Sequence, residues 1–563
     1  MQGFDERVDF VVVGSGAGSM VAALYLRQQG KRVLILEKTD LVGGTTARSG
    51  GVMWIPNNPF MARDGVLDSY EQARLYLDEV TGEQPDAPSA TAARRHAFLT
   101  EAPNMVRFLL AQGIELDRSR YWPDYYDERP GGSVAGRTVV AKPFNVNELG
   151  AWKGRLRPSF LALPGNLPAS VEEMKLLPLV RRSWKARLLM LRLIGRGAAA
   201  RLSGKHFAIA GAALQGRMLK ASLAAGVEIC TDSPVSALVV GDGAVRGVVT
   251  VREGRAWRVA AQLGVLVNSG GFALNRTLRE RYQKGTSCDW SNAAPGDTGE
   301  MIESMLALGA APAQLEEFVG YQATLPPDRL DGGLIPSVQG MTASPHCILV
   351  DGSGARYQNE GGSYMSYCQN MLKRNRSVPA IPSWAIFDRQ YIDKYMLAGT
   401  FPGAKKPQRW LDDGYLKQAE TAADLARLIG ADPAVLAATL ARFNQFVAAN
   451  CDEDFHRGAR AYDNWLGDPL HRPSQTLGSI EKPPFYAIPV VPGDVGTFGG
   501  VLTDEHARVL RADGSVIGGL YATGVASGSV MGRFYPGAGC SIGPGFTFGY
   551  IAAKHAVAAA SPA

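Results

Sequence analysis

An α/β fold centred on parallel strands is predicted by three features of the 563-residue sequence. Residues 8–13 form a short β-branched run that ends in a glycine turn and passes into helical spacing. Residues 33–36 form a second such run, closing a β–turn–helix–β unit on Glu37. At the far end, residues 519–524 read as a strand ending at glycine, and a glycine loop then leads into a helical run over 546–558. Strands alternating with helices imply parallel pairing, because each crossover needs a long return connection.

The first unit carries a chemistry. Its turn reads Gly14-Ser15-Gly16-Ala17-Gly18-Ser19. Gly14 permits the tight turn and Gly16 lets the backbone approach a pyrophosphate, while the helix N-terminus offers N–H groups to the anion. Glu37 stands about twenty residues further on, the place of an acid that hydrogen-bonds an adenosine ribose. The third fingerprint position is Ser19 rather than Gly or Ala, which still allows close helix–strand packing. Lys38 and a second small-residue loop follow: Gly43-Gly44-Thr45-Thr46, then Ser49-Gly50-Gly51. Such a loop can wrap a pyrophosphate and a flavin edge, whereas a nicotinamide enzyme would continue with another β–α unit. A Rossmann-type domain holding FAD is therefore expected.

Residues 227–230 and the hairpin-like stretch 236–251, turning at Gly241-Asp242-Gly243, read as antiparallel strands. Residues 264–268 lead into Ser269-Gly270-Gly271, another strand ending in a small-residue turn. Near the C-terminus, Gly524 ends a strand, and Gly539-Cys540-Ser541-Ile542 enter the last helix. N–H donors there would face the flavin edge on which charge develops during reduction.

Composition narrows the class. Hydrophobic residues make up 46% and charged residues 20%, the balance of a globular chain. A net charge of +6 over this length gives no case for nucleic acid. The six cysteines form no C-x-x-C pair, so no metal site is signalled, and they read as reduced thiols of a cytoplasmic protein. No secretory pattern and no stretch of about 18 apolar residues is visible.

Several motifs together resemble the fumarate reductase/3-ketosteroid dehydrogenase flavoproteins: Glu37-Lys38 with GGTTARSGG, VDGSGARYQNE (350–360) and GLYATG. Others resemble the 3-ketosteroid Δ1-dehydrogenases specifically: WPDYY (122–126), Tyr364, EDFHRGARAYD (453–463) and GRFYPGAG (532–539). The resemblance spans nearly the whole chain. It implies an FAD domain from 1–317 and 497–563, with an inserted α+β catalytic domain at 318–496. It implies 1,2-desaturation of a 3-ketosteroid, in which Tyr364 removes the C2 proton and flavin N5 takes hydride from C1. Tyr125 would support Tyr364, Tyr126 being its neighbour and rival. Tyr535 and the Gly539 N–H would polarise the C3 carbonyl.

The residue types suit that chemistry. A carbonyl beside the carbon to be deprotonated acidifies it if donors stabilise the enolate oxygen. Tyrosine is an unusual base because its ordinary pKa is about 10. A tyrosine pair is more plausible than a lone one, and an alkaline optimum is expected. Phe534, Trp54, Trp122 and Tyr321 are candidates to line an apolar substrate slot. His346 offers one imidazole, where a dicarboxylate enzyme would need several cations; Arg356 is expected to tie the inserted domain to the flavin domain. The alternatives are a 3-ketosteroid Δ4(5α)-dehydrogenase and a flavoprotein that transfers electrons without desaturating.

One segment stands apart. Across 175–205, Val180, Trp184, Leu188, Met190, Leu191 and Ile194 share one helical arc, and Arg181, Lys185, Arg192 and Arg196 the opposite one. Arg187, Leu189 and Leu193 break the pattern. A basic amphipathic helix with Trp is expected to lie on a membrane surface, and otherwise to be a core helix with a solvated basic face. Peripheral membrane contact would suit a poorly soluble steroid and a quinone as electron acceptor.

Overall fold

The computed structural model of the chain describes residues 3–161, 167–328 and 335–560. The N-terminal strand, Glu6–Val13, is the centre of an eight-stranded sheet. It pairs in parallel with Val33–Leu36 on one side and with Arg255–Val267 on the other. Val516–Ala522 adds in parallel beyond Arg255–Val267, so a strand near the C-terminus is built into the N-terminal sheet. Residues 10–13 and 33–36 are buried throughout, as expected of parallel strands covered on both faces.

Helix Ala17–Gln28 and the last helix, Ile542–Ala558, pack against each other over this sheet. They approach closely through glycine. A Cβ at Gly18 would stand 2.6 Å from Gly545 O, and one at Gly549 2.3 Å from Gly18 O. The hairpin Ala237–Gly241/Ala244–Arg252 extends the sheet antiparallel, turning through Asp242 and Gly243, both at positive φ. Glu228–Cys230 departs from the antiparallel reading. It pairs in parallel with Val33–Leu36, because helix Ala210–Ala224 returns the chain across the sheet before it.

A second sheet of five strands is antiparallel throughout: Phe318–Ala323, Phe485–Thr497, Ser383–Asp388 and Cys347–Val350 in order, with Lys417–Ala419 also on Phe485–Thr497. Helices Tyr364–Arg374, Ala422–Ile429 and Pro433–Ala449 accompany it. Arg356 is bound within this part of the chain: its guanidinium meets Glu360 at 2.8 Å and Asp452 at 2.9 Å. It ties that part to itself rather than to the flavin-side sheet. The carboxylates that could reach a buried guanidinium there are its own near neighbours.

The basic segment is not one helix. Val171–Leu176 and the turn Leu177–Leu179 precede the helix Trp184–Leu202. That helix buries small or off-arc side chains, Ala186, Leu193, Gly197 and Ala200. Four of the six arc residues face solvent, Trp184 being 76% exposed, Leu188 55%, Leu191 65% and Ile194 52%, while Val180 and Met190 are half-buried. The alternative of a core helix fails on this point. Among the described residues, no helix is long and apolar enough to cross a membrane.

Candidate active site

A cavity of about 480 Å³ runs along the C-terminal ends of the parallel strands, the usual ligand crevice of such sheets. Gly14, Gly16 and Ala17 line it, with Glu37, Lys38, Gly44, Thr45, Thr46 and Ser49. Gly270, Gly524, Ser541 and Ile542 line it as well. Gly18, Gly43, Gly50, Gly51 and Cys540 are not among its lining residues. Gly18 packs the two helices together, Gly43 turns at φ 107° against Ala47, and Gly51 abuts the backbone of Gly211. Cys540 is buried, accepting from the Gly537 N–H at 3.2 Å. Gly50 has only Leu161 near its missing Cβ.

Crowding dictates Gly14 but not Gly16, whose Cβ would meet nothing closer than 3.5 Å. A Cβ at Gly14 would lie 2.5 Å from Asn268 O. Asn268 also explains Ser19: with its amide oxygen turned toward the helix, the side chain accepts from the N–H groups of Gly18 and Ser19 at 3.0 Å and from the Ser19 hydroxyl at 2.8 Å. These two donors are therefore committed within the protein. Glu37 accepts from Ser15 Oγ at 2.5 Å and from Thr39 N at 3.0 Å. An ionised carboxylate has about four acceptor sites, so capacity for a ribose hydroxyl remains.

The cavity wall also carries groups that sequence reasoning missed. Asp297 is buried and lines it; burial, with Asp494 nearby, pushes its carboxyl up to about 7. Its Oδ1 and the Thr497 hydroxyl have no partner in the protein. Buried polar atoms without partners are rare, and in a cavity wall they mark where a polar ligand completes the bonding. The sequence signal at Asp297 was only a Gly-Asp pair, Gly296-Asp297, in a loop. These features fit FAD, a long ligand with polar groups along its length.

Four tyrosines gather beside the cavity; none of them lines it, but the Tyr535 hydroxyl accepts from the N–H of Ser541, a lining residue, at 3.3 Å. Tyr364 opens the helix Tyr364–Arg374. Its ring centroid lies 5.0 Å from Tyr535 and 5.3 Å from Tyr125. Tyr125 stacks on Tyr462 at 4.2 Å, and Gln339 Nε2 donates to the Tyr462 hydroxyl at 2.8 Å. Tyr462 sits in the quoted EDFHRGARAYD motif, yet nothing in the sequence marked it apart from other tyrosines. Burial raises all four phenols, and neighbouring tyrosines add to the rise at Tyr364 and Tyr125; Tyr535 is pushed up to about 12. Tyr126 points elsewhere, its hydroxyl 2.7 Å from Ser366 Oγ.

The loop bearing Tyr535 is held by its carbonyls. Pro536 O accepts from the Tyr76 hydroxyl at 2.7 Å and from Tyr125 N at 2.8 Å, Ala538 O from Thr138 Oγ1 at 3.1 Å, and Gly539 O from Gly543 N at 2.8 Å. Gly539 has φ 99°, and a Cβ there would meet Val52 O at 2.3 Å. Trp54 lies beneath this loop, fully buried, donating to Asp124 Oδ1 at 2.7 Å. It supports the loop instead of lining a slot, because its indole N–H finds its acceptor in the core. Asp124, next to Tyr125, is bridged to Asp68 by the buried Arg137, both contacts at 2.7 Å.

Phe534 packs edge-on against Tyr126 at 6.1 Å, and Trp122 stacks on Trp465 at 4.6 Å. Tyr321 is buried with its hydroxyl bonded to Asn292, in a small apolar cluster against which Tyr364 packs. His346 bonds Ser479 O and lies near Lys394, not among the tyrosines. The Tyr364 helix is clamped to the Tyr535 loop: Gln369 Nε2 donates to Glu317 Oε2 at 2.7 Å and to Arg533 O at 3.0 Å, while Arg533 meets Glu317 at 2.6 Å.

The profile of the FAD binding domain family matches residues 9–542. The chain is 38% identical to a 3-oxosteroid 1-dehydrogenase of Mycobacterium tuberculosis, covering 98% of both chains. It is 33% identical to a 4-oxocyclohex-2-ene-1-carboxylate 5-dehydrogenase of Sinomonas cyclohexanicum, covering 98% of this chain and 94% of that one. This chain belongs to the FAD-binding dehydrogenase family that includes the 3-oxosteroid 1-dehydrogenases. The 3-ketosteroid Δ1-dehydrogenase of Sterolibacterium denitrificans, solved with 1,4-androstadiene-3,17-dione, superposes with a TM-score of 0.91 at 33% identity, over 98% of this chain and all of that one. The 3-ketosteroid-Δ4-(5α)-dehydrogenase of Rhodococcus jostii superposes at 0.68 with 20% identity, a likeness of fold alone. The protein is thus an FAD-dependent oxidoreductase.

Proposed function

We propose that the protein desaturates the A-ring of a 3-ketosteroid between C1 and C2. The observation that carries this reading is the grouping of Tyr364, Tyr125 and Tyr535 on the Gly539 loop side, joined to the cavity wall through the Tyr535–Ser541 contact. Bound FAD supplies the hydride acceptor. Tyr364 takes the C2 proton, and the neighbouring Tyr125 orients it. The Tyr535 hydroxyl, with Ser541 Oγ 3.0 Å away, and the Gly539 N–H donate to the C3 carbonyl oxygen. Donors fixed before reaction cost no reorganisation as charge builds on that oxygen. The buried aromatic surroundings exclude water, which strengthens both donors.

Residues 318–496 supply the base and the 497–563 part supplies both carbonyl donors, which favours reading the two parts as a catalytic and an FAD domain. The reading is tested by anaerobic bleaching of the flavin with androst-4-ene-3,17-dione. Reduction is expected, with androsta-1,4-diene-3,17-dione as product, and a Tyr364→Phe variant should lose at least a hundredfold in rate while keeping its FAD. Reduction by 5α-steroids alone would instead favour the Δ4 chemistry.

The exposed arc of Trp184–Leu202 supports peripheral membrane docking. Each large apolar side chain is worth about 1.5–3 kcal/mol when fully buried, and each Lys or Arg about 1 kcal/mol beside an anionic surface. Arg187 lies over the Trp184 ring at 4.5 Å, placing charge at the rim of the apolar arc. The segment is fixed to the rest of the protein by Arg182, 2.8 Å from Asp468. A membrane quinone would then be the accessible electron acceptor.

A further inference from the structure

The stretch 155–161 runs across the cofactor loop before the chain reaches the basic segment. Val42 N donates to Arg155 O at 2.7 Å and Arg157 N to Val42 O at 3.0 Å. Ser159 Oγ reaches Arg48 O at 3.1 Å and Ser49 O at 3.2 Å. The small-residue loop that follows Glu37 is therefore covered by a strap from a distant part of the sequence.

Arg157 of this strap is 5% exposed and lines the cavity. Its Nη2 donates to Thr39 Oγ1 at 2.7 Å and to Leu41 O at 3.1 Å, but its Nε is buried with no partner. Among the described residues no carboxylate forms an ion pair with it. Burial pulls its charge down, and Glu37 and Asp40 only partly offset this from a distance. An arginine buried without a paired anion is expensive, and an orphan Nε in a cavity wall is a donor waiting for an acceptor. Glu37, suited to a ribose, acts on its charge, and Thr45 and Thr46, suited to a pyrophosphate, line the same cavity. Two of the helix N–H groups that could serve the anion are already taken by Asn268.

We propose that Arg157 binds the adenosine diphosphate half of FAD. The guanidinium fork suits this role: one nitrogen is anchored on Thr39, which itself bonds Glu37 at 2.9 Å, and the remaining edge is free to pair with phosphate or ribose oxygens. The acid that reads the ribose and the cation are thereby joined through one threonine.

The test is binding of FAD and of FMN, separately, to apoprotein prepared from the full chain, followed by flavin fluorescence and by the rate of flavin release. Arg157→Ala should weaken FAD at least tenfold and leave FMN within twofold, and ADP should compete less well for the variant. Arg157→Lys, which keeps a charge without the fork, should fall between. FAD affinity within twofold of the native protein in both variants would overturn the assignment, as would equal loss of FAD and FMN. If Arg157→Ala does not fold, the Lys variant decides by the same FAD-to-FMN ratio.

Discussion

The cofactor cavity takes much of its wall from two short local stretches, residues 13–17 and 36–49, whereas the tyrosine cluster draws its rings from positions 125, 364, 462 and 535. The first needs only a strand, a turn and a helix in succession, and crowding explains Gly14 and Gly43. The second needs four distant segments brought to one point, and its precision rests on Arg137 under Asp124, Trp54 under the Gly539 loop, and Glu317 between Gln369 and Arg533. A binding surface for a long ligand tolerates small displacements spread over many contacts. A proton transfer does not, since misplacement of about 1 Å can cost a hundredfold in rate.

The difference can be broken at its most crowded point. Gly539→Ala sets a Cβ 2.3 Å from Val52 O at a backbone conformation that L side chains disfavour. Flavin reduction by substrate should fall by a hundredfold or more, measured by anaerobic stopped flow, with FAD content in the purified protein little changed. Loss of FAD as well would mean that the two regions are not separable.

The pH dependence sharpens the same contrast. Burial raises the Tyr364 phenol above its ordinary value of about 10, so the neutral form dominates at neutral pH. Each unit of pH below that raised value should lower the phenolate fraction about tenfold. The rate of flavin reduction should therefore climb with pH and keep climbing past pH of about 10, up to the limit of protein stability. A plateau near neutrality would show that another group sets the rate.

The clamp is the next target. Glu317→Gln removes the charge that holds Arg533 while leaving Gln369 a hydrogen-bond acceptor. Because it acts through the relative placement of Tyr364 and Tyr535, kcat should fall about tenfold with KM nearly unchanged and FAD retained. Burial already pushes the Glu317 carboxyl up against the pull of Gln369 and Arg533. The variant's loss should therefore shrink at low pH, where the native group begins to protonate.

The smallest effect on chemistry is expected at the outer helix. Leu188→Glu with Leu191→Glu should leave the rate on dissolved steroid within twofold and stability within about 0.5 kcal/mol, since both side chains are exposed. Co-sedimentation with anionic vesicles should be lost. Unchanged sedimentation would remove the membrane reading.

Periodicity and turn chemistry made the cofactor side legible in advance. The strands at 8–13 and 33–36, the helix after Gly16 and the entry of the last helix all lie where their patterns placed them, within a few residues. Less was legible where pairing is non-local. Glu228–Cys230 looked like its antiparallel neighbours, and only the returning helix Ala210–Ala224 made it parallel. Arg157 and Asp297 were ordinary loop residues until burial left them facing a cavity. Adjacent tyrosines at 125 and 126 could not be ranked from sequence, because which of two neighbouring side chains faces inward depends on what packs around them.

The sequence by itself determined that a strand–glycine–helix unit ending on Glu37 must form a dinucleotide site, since steric freedom, helix polarity and spacing are properties of a continuous stretch. Through the resemblance of its motifs it also named Tyr125, Tyr364 and Tyr535, though not Tyr462. Only the tertiary structure decided that Tyr125 rather than Tyr126 meets Tyr364, that Trp54 is a support, and that the apolar arc of the basic helix faces outward. The physical reason is the same in each case. Burial and hydrogen-bond partnership belong to pairs of residues far apart in the chain, and no local pattern encodes which pair forms.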